Sequence, residues 1–451
     1  MTTPLKLYPD ADETIEGVGR ALRAGRTTCA AVLEHCFRQI DLWDDRVHAW
    51  VFVDRAGAMQ QARERDAELK AGRDRGPLHG IPIGIKDIID VAGLPTAAGF
   101  RPWRDQVAVA DAPLVGALRE AGAVIMGKTV TTQFAWIDPP ATRNPWNTER
   151  TPGGSSSGSA AAVATGMCLA AIGTQTGGSI IRPAAFCGVC GYKLEWLSVQ
   201  TEGVIPFAPS LDHIGLLARS VGDLVLVARV IGDRPRGDDG QCDGEETRAP
   251  TLYRLGGLYH DRCEPAMASA YTGAMQRLAD AGARVVEGSL PLDEVHWSHR
   301  VIMASEAAAG HERRLTEHRA DYRPRIRELV EEGLKIRAVD YTRAQDHRIE
   351  FSIDVTDTFA YPETGTEAQA IALPAAPGPA PGPETTGDAL FNSPWSFSGH
   401  PVVCLPIGLS PDGLPLSLQL VGPELNRQGD LYAAARWCER VLKSAARRTE
   451  G

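Results

Sequence analysis

The chain has 451 residues, 43% hydrophobic and 23% charged, a balance that excludes disordered and collagen-like proteins. Its 57 acidic side chains outnumber 47 basic ones, for a formal net charge of −10, which argues against nucleic acid or an anionic membrane as the main partner. No apolar run reaches the roughly 18 residues of a membrane helix, and MTTPLKLYPDADETIE lacks the basic head and apolar core of a secretory signal.

Residues 10–72 read as helical. Ile15, Val18 and Leu22 recur at helical spacing, and Leu33, Phe37 and Ile40 repeat the pattern behind a Thr28 cap. A charged helix follows from Arg55 to Lys70, and Gly72 stands where a C-terminal cap belongs. In LHGIPIGIKDIIDV (78–91) the alternation predicts a strand with Ile81, Ile83 and Ile85 on one face and Pro82, Gly84 and Lys86 on the other. DAPLVGALREAGAVIMGK (111–128) predicts a helix capped by Asp111, a stop at Gly122 and a strand over Ala123–Met126. A Gly/Ser/Ala-rich stretch (144–193) contains an Ala-rich helix and the strand CLAAIGT (168–174). An amphipathic helix over 221–233, a polar connection to 250, helices dominating 265–350, a Pro/Gly-rich loop (373–388), two late strands and a closing helix (429–447) complete the chain. With no internal repeat, this mixture predicts one large α/β domain. Its expected parts are an N-terminal helical segment (1–72) packed on a body over 73–451, divided into a core at 78–232, an insertion at 233–385 and C-terminal strands and helix at 386–447. Nine widely spaced cysteines form no disulfide framework and point to a reducing cytoplasm; Cys187 and Cys190, though spaced CxxC, read as packing residues.

Two motif matches mislead. GAVIMGKT (122–129) fits the phosphate-loop pattern, but a helix precedes Gly122 and the residues between the glycines form the strand itself, so their N–H groups are not free to wrap a phosphate. GSSSG (154–158) fits the esterase pattern around Ser156, yet the polar, Pro-containing NPWNTERTPG before it is a loop rather than the strand that motif needs.

The chemistry concentrates in a lysine and two serine loops. Lys86 lies among Ile85, Ile88 and Ile89, where an ammonium without a partner tends to lose its proton; pairing with Asp87 or Asp90 at a strand end fits the spacing as well. TPGGSSSGSAAAVATG (151–166) and TQTGGSIIRPAA (174–185) place glycines where backbone N–H groups converge on an anion or a developing oxyanion. With GIPIGIKDIID, SLDHIGLLARSVGD and the late GDALFNSPWSFSGHPVVCLPIGL, they resemble the amidase signature family from about residue 10 to 445.

The resemblance implies a mixed central sheet with helices on both faces, and a Ser–Ser–Lys triad of Lys86, Ser155 and Ser179. Ser179 is the nucleophile and Ser155 the bridge, held by a cis peptide. The oxyanion hole is formed by the N–H groups of Thr176, Gly177, Gly178 and Ser179. Neither metal nor cofactor is required. The expected partner is a small-molecule amide or ester, with no nucleic acid or membrane, and the expected state a monomer or homodimer. Gln175 stands where many members carry Asp, Arg182 comes one place late, Ser157 replaces a glycine, and Leu194–Leu197 replaces a Pro-Thr-Gly type turn. The acyl pocket is expected to draw on the 131–137 loop, the 190–210 segment and the late FNSPW loop, with Gln133, Phe134, Trp196, Phe391 and Trp395 as its residues and Phe397 beside them, favouring apolar or aryl acyl groups. The implied activity is amide hydrolysis with ester and carbamate cleavage; the rival is one component of a glutamine-dependent tRNA amidotransferase, working with partner chains.

Overall fold

The computed structural model describes residues 5–233, 248–360, 367–424 and 427–449. Eleven strands among these residues form a single sheet: β1 (Trp50–Val53), β2 (Pro82–Lys86), β3 (Val124–Thr129), β4 (Ala170–Gln175), β5 (Cys190–Lys193), β6 (His213–Ala218), β7 (Thr251–Leu255), β8 (Arg284–Gly288), β9 (Ala370–Pro374), β10 (Val402–Leu409) and β11 (Pro415–Val421). Their spatial order is β1-β3-β2-β4-β6-β5-β10-β11-β9-β7-β8. β2 is parallel to β3 and β4, and β7 to β8 and β9; the other neighbours are antiparallel. Helices cover both faces, so the molecule is the single large α/β domain that the sequence predicts. The inner strands β2, β4 and β6 are buried along their whole length, so both faces of the alternation expected in β2 are packed and Lys86 is as buried as the isoleucines. Among the described residues no helix is long and apolar enough to cross a membrane.

The predicted N-terminal helices form at Ile15–Arg23, Cys29–Val47 and Arg55–Lys70, with Thr28 Oγ1 accepting from the Ala31 N–H. Between them the four-residue edge strand β1 interrupts the expected helical run, because WVFV pairs antiparallel with β3. Asp111 does not cap a helix: the helix starts at Pro113, and the carboxylate accepts from Ala92 N and Arg119 Nε. The strand after Gly122 extends past Met126 through Gly127, Lys128 and Thr129, so the phosphate-loop look-alike is β-structure, as argued from its order. Helices dominate 265–350, yet β8 lies inside that range and β7 and β9 flank it; β8 is an edge strand with none of its residues fully buried, and shows no apolar alternation. The late strands and closing helix appear at β10, β11 and Gln428–Thr449. Most of the predicted polar connection, including Cys242, lies outside the described residues.

Two short helices set the serine loops. Ser157–Ala164 consists of Ser, Gly, Ala and Val, nearly all buried, so its backbone lies close against β2, β4 and β6. At Gly173 on β4 a Cβ would come within 2.7 Å of Ser156 Oγ, so only glycine lets that serine sit against the strand. The turn after β4 leads into the helix Ile181–Cys187.

Candidate active site

Lys86, the last residue of β2, is fully buried. Its Nζ lies 2.8 Å from Ser155 Oγ, 3.0 Å from Ser156 Oγ and 2.9 Å from Thr174 Oγ1, with the Thr174 carbonyl at 3.4 Å. Neither Asp87 nor Asp90 pairs with it; Asp87 faces Lys128 at 3.3 Å. Burial therefore holds the Lys86 amine well below the ordinary lysine range, only partly opposed by the more distant Asp212 carboxyl. Ser156 gives its own proton to the Thr174 carbonyl at 3.2 Å, so it accepts from Lys86. With a second N–H facing Thr174 Oγ1, the lone pair of a neutral amine is left for the Ser155 hydroxyl. Ser156, rejected above as an esterase nucleophile, and Thr174, which the sequence did not single out, thus orient the amine.

The Gly154–Ser155 peptide is cis, and Gly153 before it has φ +81°. Arg182 donates to the Gly154 carbonyl at 2.7 Å and to the Gly387 carbonyl at 3.0 Å, tying the serine loop to the late segment. Ser157 donates to the Gly153 carbonyl at 2.7 Å, so the hydroxyl in place of a glycine closes the loop. The Gln175 amide oxygen accepts from Ile180 N at 2.9 Å and Ile181 N at 3.1 Å, two bonds that a carboxylate at this position could also accept.

The turn 176–179 is anchored by its carbonyls. His299 Nε2 lies 2.9 Å from the Thr176 oxygen, Ser396 Oγ donates to Gly177 at 3.3 Å, Arg182 N to Gly178 at 3.0 Å, and Ser156 N to Ser179 at 3.3 Å. The four N–H groups of Thr176, Gly177, Gly178 and Ser179 donate to no protein acceptor among the described residues. With their residues lining a common cleft, these unspent donors are free to receive an anion or a developing oxyanion. Asp212, half-buried, accepts from Thr176 Oγ1 at 2.5 Å and from Phe207 N and Ala208 N; desolvation raises its carboxyl to about 6 despite these bonds.

Thr176 through Ser179 line a cleft of about 920 Å³ with Ala135, Trp136, Arg182, Phe207, His299 and Met303. Of the three candidate serines, Ser155 and Ser156 are fully buried, whereas Ser179 faces the cleft. A second, smaller cavity shares Ala135, Thr176 and Phe207 as walls and is otherwise mainly apolar, with Leu194, Leu197, Val199, Ile205 and Ile214.

The expected acyl-pocket residues line neither cavity. Gln133 bonds the Asp321 carbonyl and the Arg323 N–H, pinning a distant turn. Phe134 packs among Phe100, Trp103, His311 and Tyr322. Trp196 lies under the Arg348 guanidinium, 4.6 Å away. Phe391 packs on Tyr259, and Trp395 donates to the Phe391 carbonyl. Phe397 packs on Phe351. Aromatic residues near the motifs are drawn into the core because their large apolar surface is more stable there. The cleft walls Trp136 and Phe207 fall in the 131–137 and 190–210 segments expected to border the pocket, though not at the residues singled out there; His299 and Met303 sit outside every segment expected from the sequence. The Cys187 and Cys190 thiols contact the Pro152 carbonyl and Glu439, as packing residues do. Among the described residues no group of three or more His, Cys, Asp or Glu side chains is arranged to hold a metal ion.

Proteins of the same architecture supply the class. A solved amidase superposes with a TM-score of 0.85 at 32% identity, covering 95% of this chain and 99% of that one. The native peptide amidase of Stenotrophomonas maltophilia superposes with a TM-score of 0.83 at 28% identity, over 96% and 98% of the two chains. This is an amide-hydrolysing enzyme. The amidase family profile matches residues 31–428, and the chain belongs to that family. A glutamyl-tRNA(Gln) amidotransferase subunit from Roseiflexus castenholzii (strain DSM 13941 / HLO8) is 33% identical over 93% of this chain and 95% of that protein.

Proposed function

We propose that the enzyme cleaves amides of apolar or aryl acyl groups, with ester and carbamate activity, through Lys86, Ser155 and Ser179. The observation that carries this reading is the Lys86 amine, buried without a carboxylate and bonded to Ser155. Ser179 Oγ attacks the substrate carbonyl carbon, its proton passes to Ser155, and Ser155 gives its own proton to the neutral Lys86. The negative oxygen is received by the N–H groups of residues 176–179, each worth about 3–4 kcal/mol in comparable sites. The C–N bond then breaks, with the amine leaving group taking a proton from Lys86 through Ser155. Water repeats the sequence on the acyl-enzyme. The apolar cavity beside the cleft supports an apolar acyl arm, and the free thiols among the described cysteines fit a cytoplasmic setting. A fluorophosphonate is expected to label Ser179, and Ser179→Ala to abolish both labelling and turnover. Labelling at Ser156 alone would overturn the assignment.

A second reading, one component of a glutamine-dependent tRNA amidotransferase, is favoured by the similarity to the Roseiflexus castenholzii protein. Glutamine hydrolysis that requires added partner chains and tRNA, with simple amides untouched by the isolated chain, is the result that would establish it.

A further inference from the structure

We propose that His299 is a positioning residue for amide cleavage: it anchors the Thr176 carbonyl and thereby aims the Gly177 N–H at the substrate oxygen. The inference rests on the reading of Ser179 as nucleophile. In a planar trans peptide the C=O of one residue and the N–H of the next point in opposite directions. Each carbonyl anchor of the turn therefore sets the direction of the following donor. Ser396 on the Gly177 oxygen sets Gly178 N–H, and Arg182 N on the Gly178 oxygen sets Ser179 N–H. His299 on the Thr176 oxygen sets Gly177 N–H in the same way.

The other anchors belong to the Gly/Ser motifs or the late FNSPW stretch. His299 comes from the helix Val295–Glu317, which carries no motif, and reaches the turn across the cleft. It is nearly buried, and a Cβ at Gly177 would lie 3.6 Å from its Cε1, so the ring also packs on the residue whose N–H it aims. A carbonyl only accepts, so Nε2 carries the hydrogen. Burial lowers the imidazole to about 4, which keeps this neutral tautomer at neutral pH. Asp212 holds the Thr176 hydroxyl, so this one residue is fixed through both its side chain and its carbonyl.

The test compares the full-length chain with His299→Leu, His299→Asn and His299→Gln. Gln can extend an N–H donor about as far as Nε2, while Asn is too short and Leu has none. The readouts are the rate of Ser179 labelling by a fluorophosphonate, kcat and KM for para-nitroacetanilide, and inhibition by an aryl trifluoromethyl ketone, whose serine adduct bears an oxyanion. His299→Leu and His299→Asn are expected to slow labelling and kcat by about ten- to a hundredfold, to weaken the ketone by the same factor, and to leave KM nearly unchanged. His299→Gln is expected to stay within about threefold of wild type. Wild-type rates in both the Leu and Asn variants, slowed rates with unchanged ketone inhibition, or no recovery with Gln would each overturn the proposal alone. Absence of Ser179 labelling in the wild type would overturn the nucleophile reading and this inference with it.

Discussion

Lys86 ends β2 and Lys128 is the last residue but one of its parallel neighbour β3, and neither has exposed surface. Their surroundings differ in one respect. Lys128 meets the Asp87 carboxylate at 3.3 Å and also bonds the Pro95 carbonyl and Thr96 Oγ1. Lys86 meets three hydroxyls. Burial lowers both amines, but Asp87 opposes the fall at Lys128, whereas at Lys86 only the distant Asp212 does, and that amine falls much further. The same side chain at the same depth becomes a tie between β3 and residues 95–96 in one case and, in the function proposed above, a base in the other. The partner decides, because removing a charge from water is tolerable only beside its opposite.

The sharpest way to break this contrast is a pair of variants. Lys86→Met is expected to lower amide kcat by on the order of a thousandfold or more without lowering the melting temperature at neutral pH, since no buried charge is left unpaired and the folded chain no longer has to shed a proton that the unfolded chain keeps. Lys128→Met is expected to do the reverse. It strands a buried carboxylate and should cost about 3–5 kcal/mol of stability in denaturant unfolding, with the folded fraction retaining activity. Greater destabilisation by Lys86→Met than by Lys128→Met would show that the two sites are alike.

The next effect is in pH. A lysine depressed in the folded state binds its proton only when the chain unfolds, so it opposes folding below its ordinary pKa. The stability of wild type relative to Lys86→Met should therefore rise from neutral pH toward about pH 10, and hydrolysis should rise with pH as the Lys86 proton is lost. A stability difference that is flat over this range would mean that Lys86 is not depressed. Asp212, raised to about 6, must be ionised to accept fully from Thr176. Asp212→Asn is expected to reduce kcat about tenfold and to remove the part of the acid limb near pH 6; an unaltered profile would separate Asp212 from the turn.

The smallest expected effect concerns Leu194–Leu197. Leu194 and Leu197 line the apolar cavity, while Trp196 turns away to Arg348. Leu197→Ser should change the ratio of kcat/KM between bulky and small acyl amides several-fold, about 1 kcal/mol, with small amides least affected. Trp196→Ala should lower stability and leave that ratio alone. Equal losses on every substrate in Leu197→Ser would make the segment structural.

Much of this was legible in the amino-acid order alone. The helix caps at Thr28 and Gly72, the alternation that places Lys86 on a strand, and the glycines around Ser155 and Ser179 are local signals, set by backbone conformation and side-chain period. Local order also excluded the phosphate loop, because a strand cannot wrap an anion. Three-dimensional packing decided the rest. Which carboxylate Lys86 lacks, which hydroxyls orient it, and which histidine reaches the Thr176 carbonyl depend on segments up to 123 residues apart. The same holds for the substrate walls. Phe391 and Trp395 lie within the late motif yet point into the core, whereas Trp136, Phe207 and Met303 reach the cleft from three separate segments. Side chains at contact across a fold have no shared period in the sequence, so only the packed structure determines which of them meet.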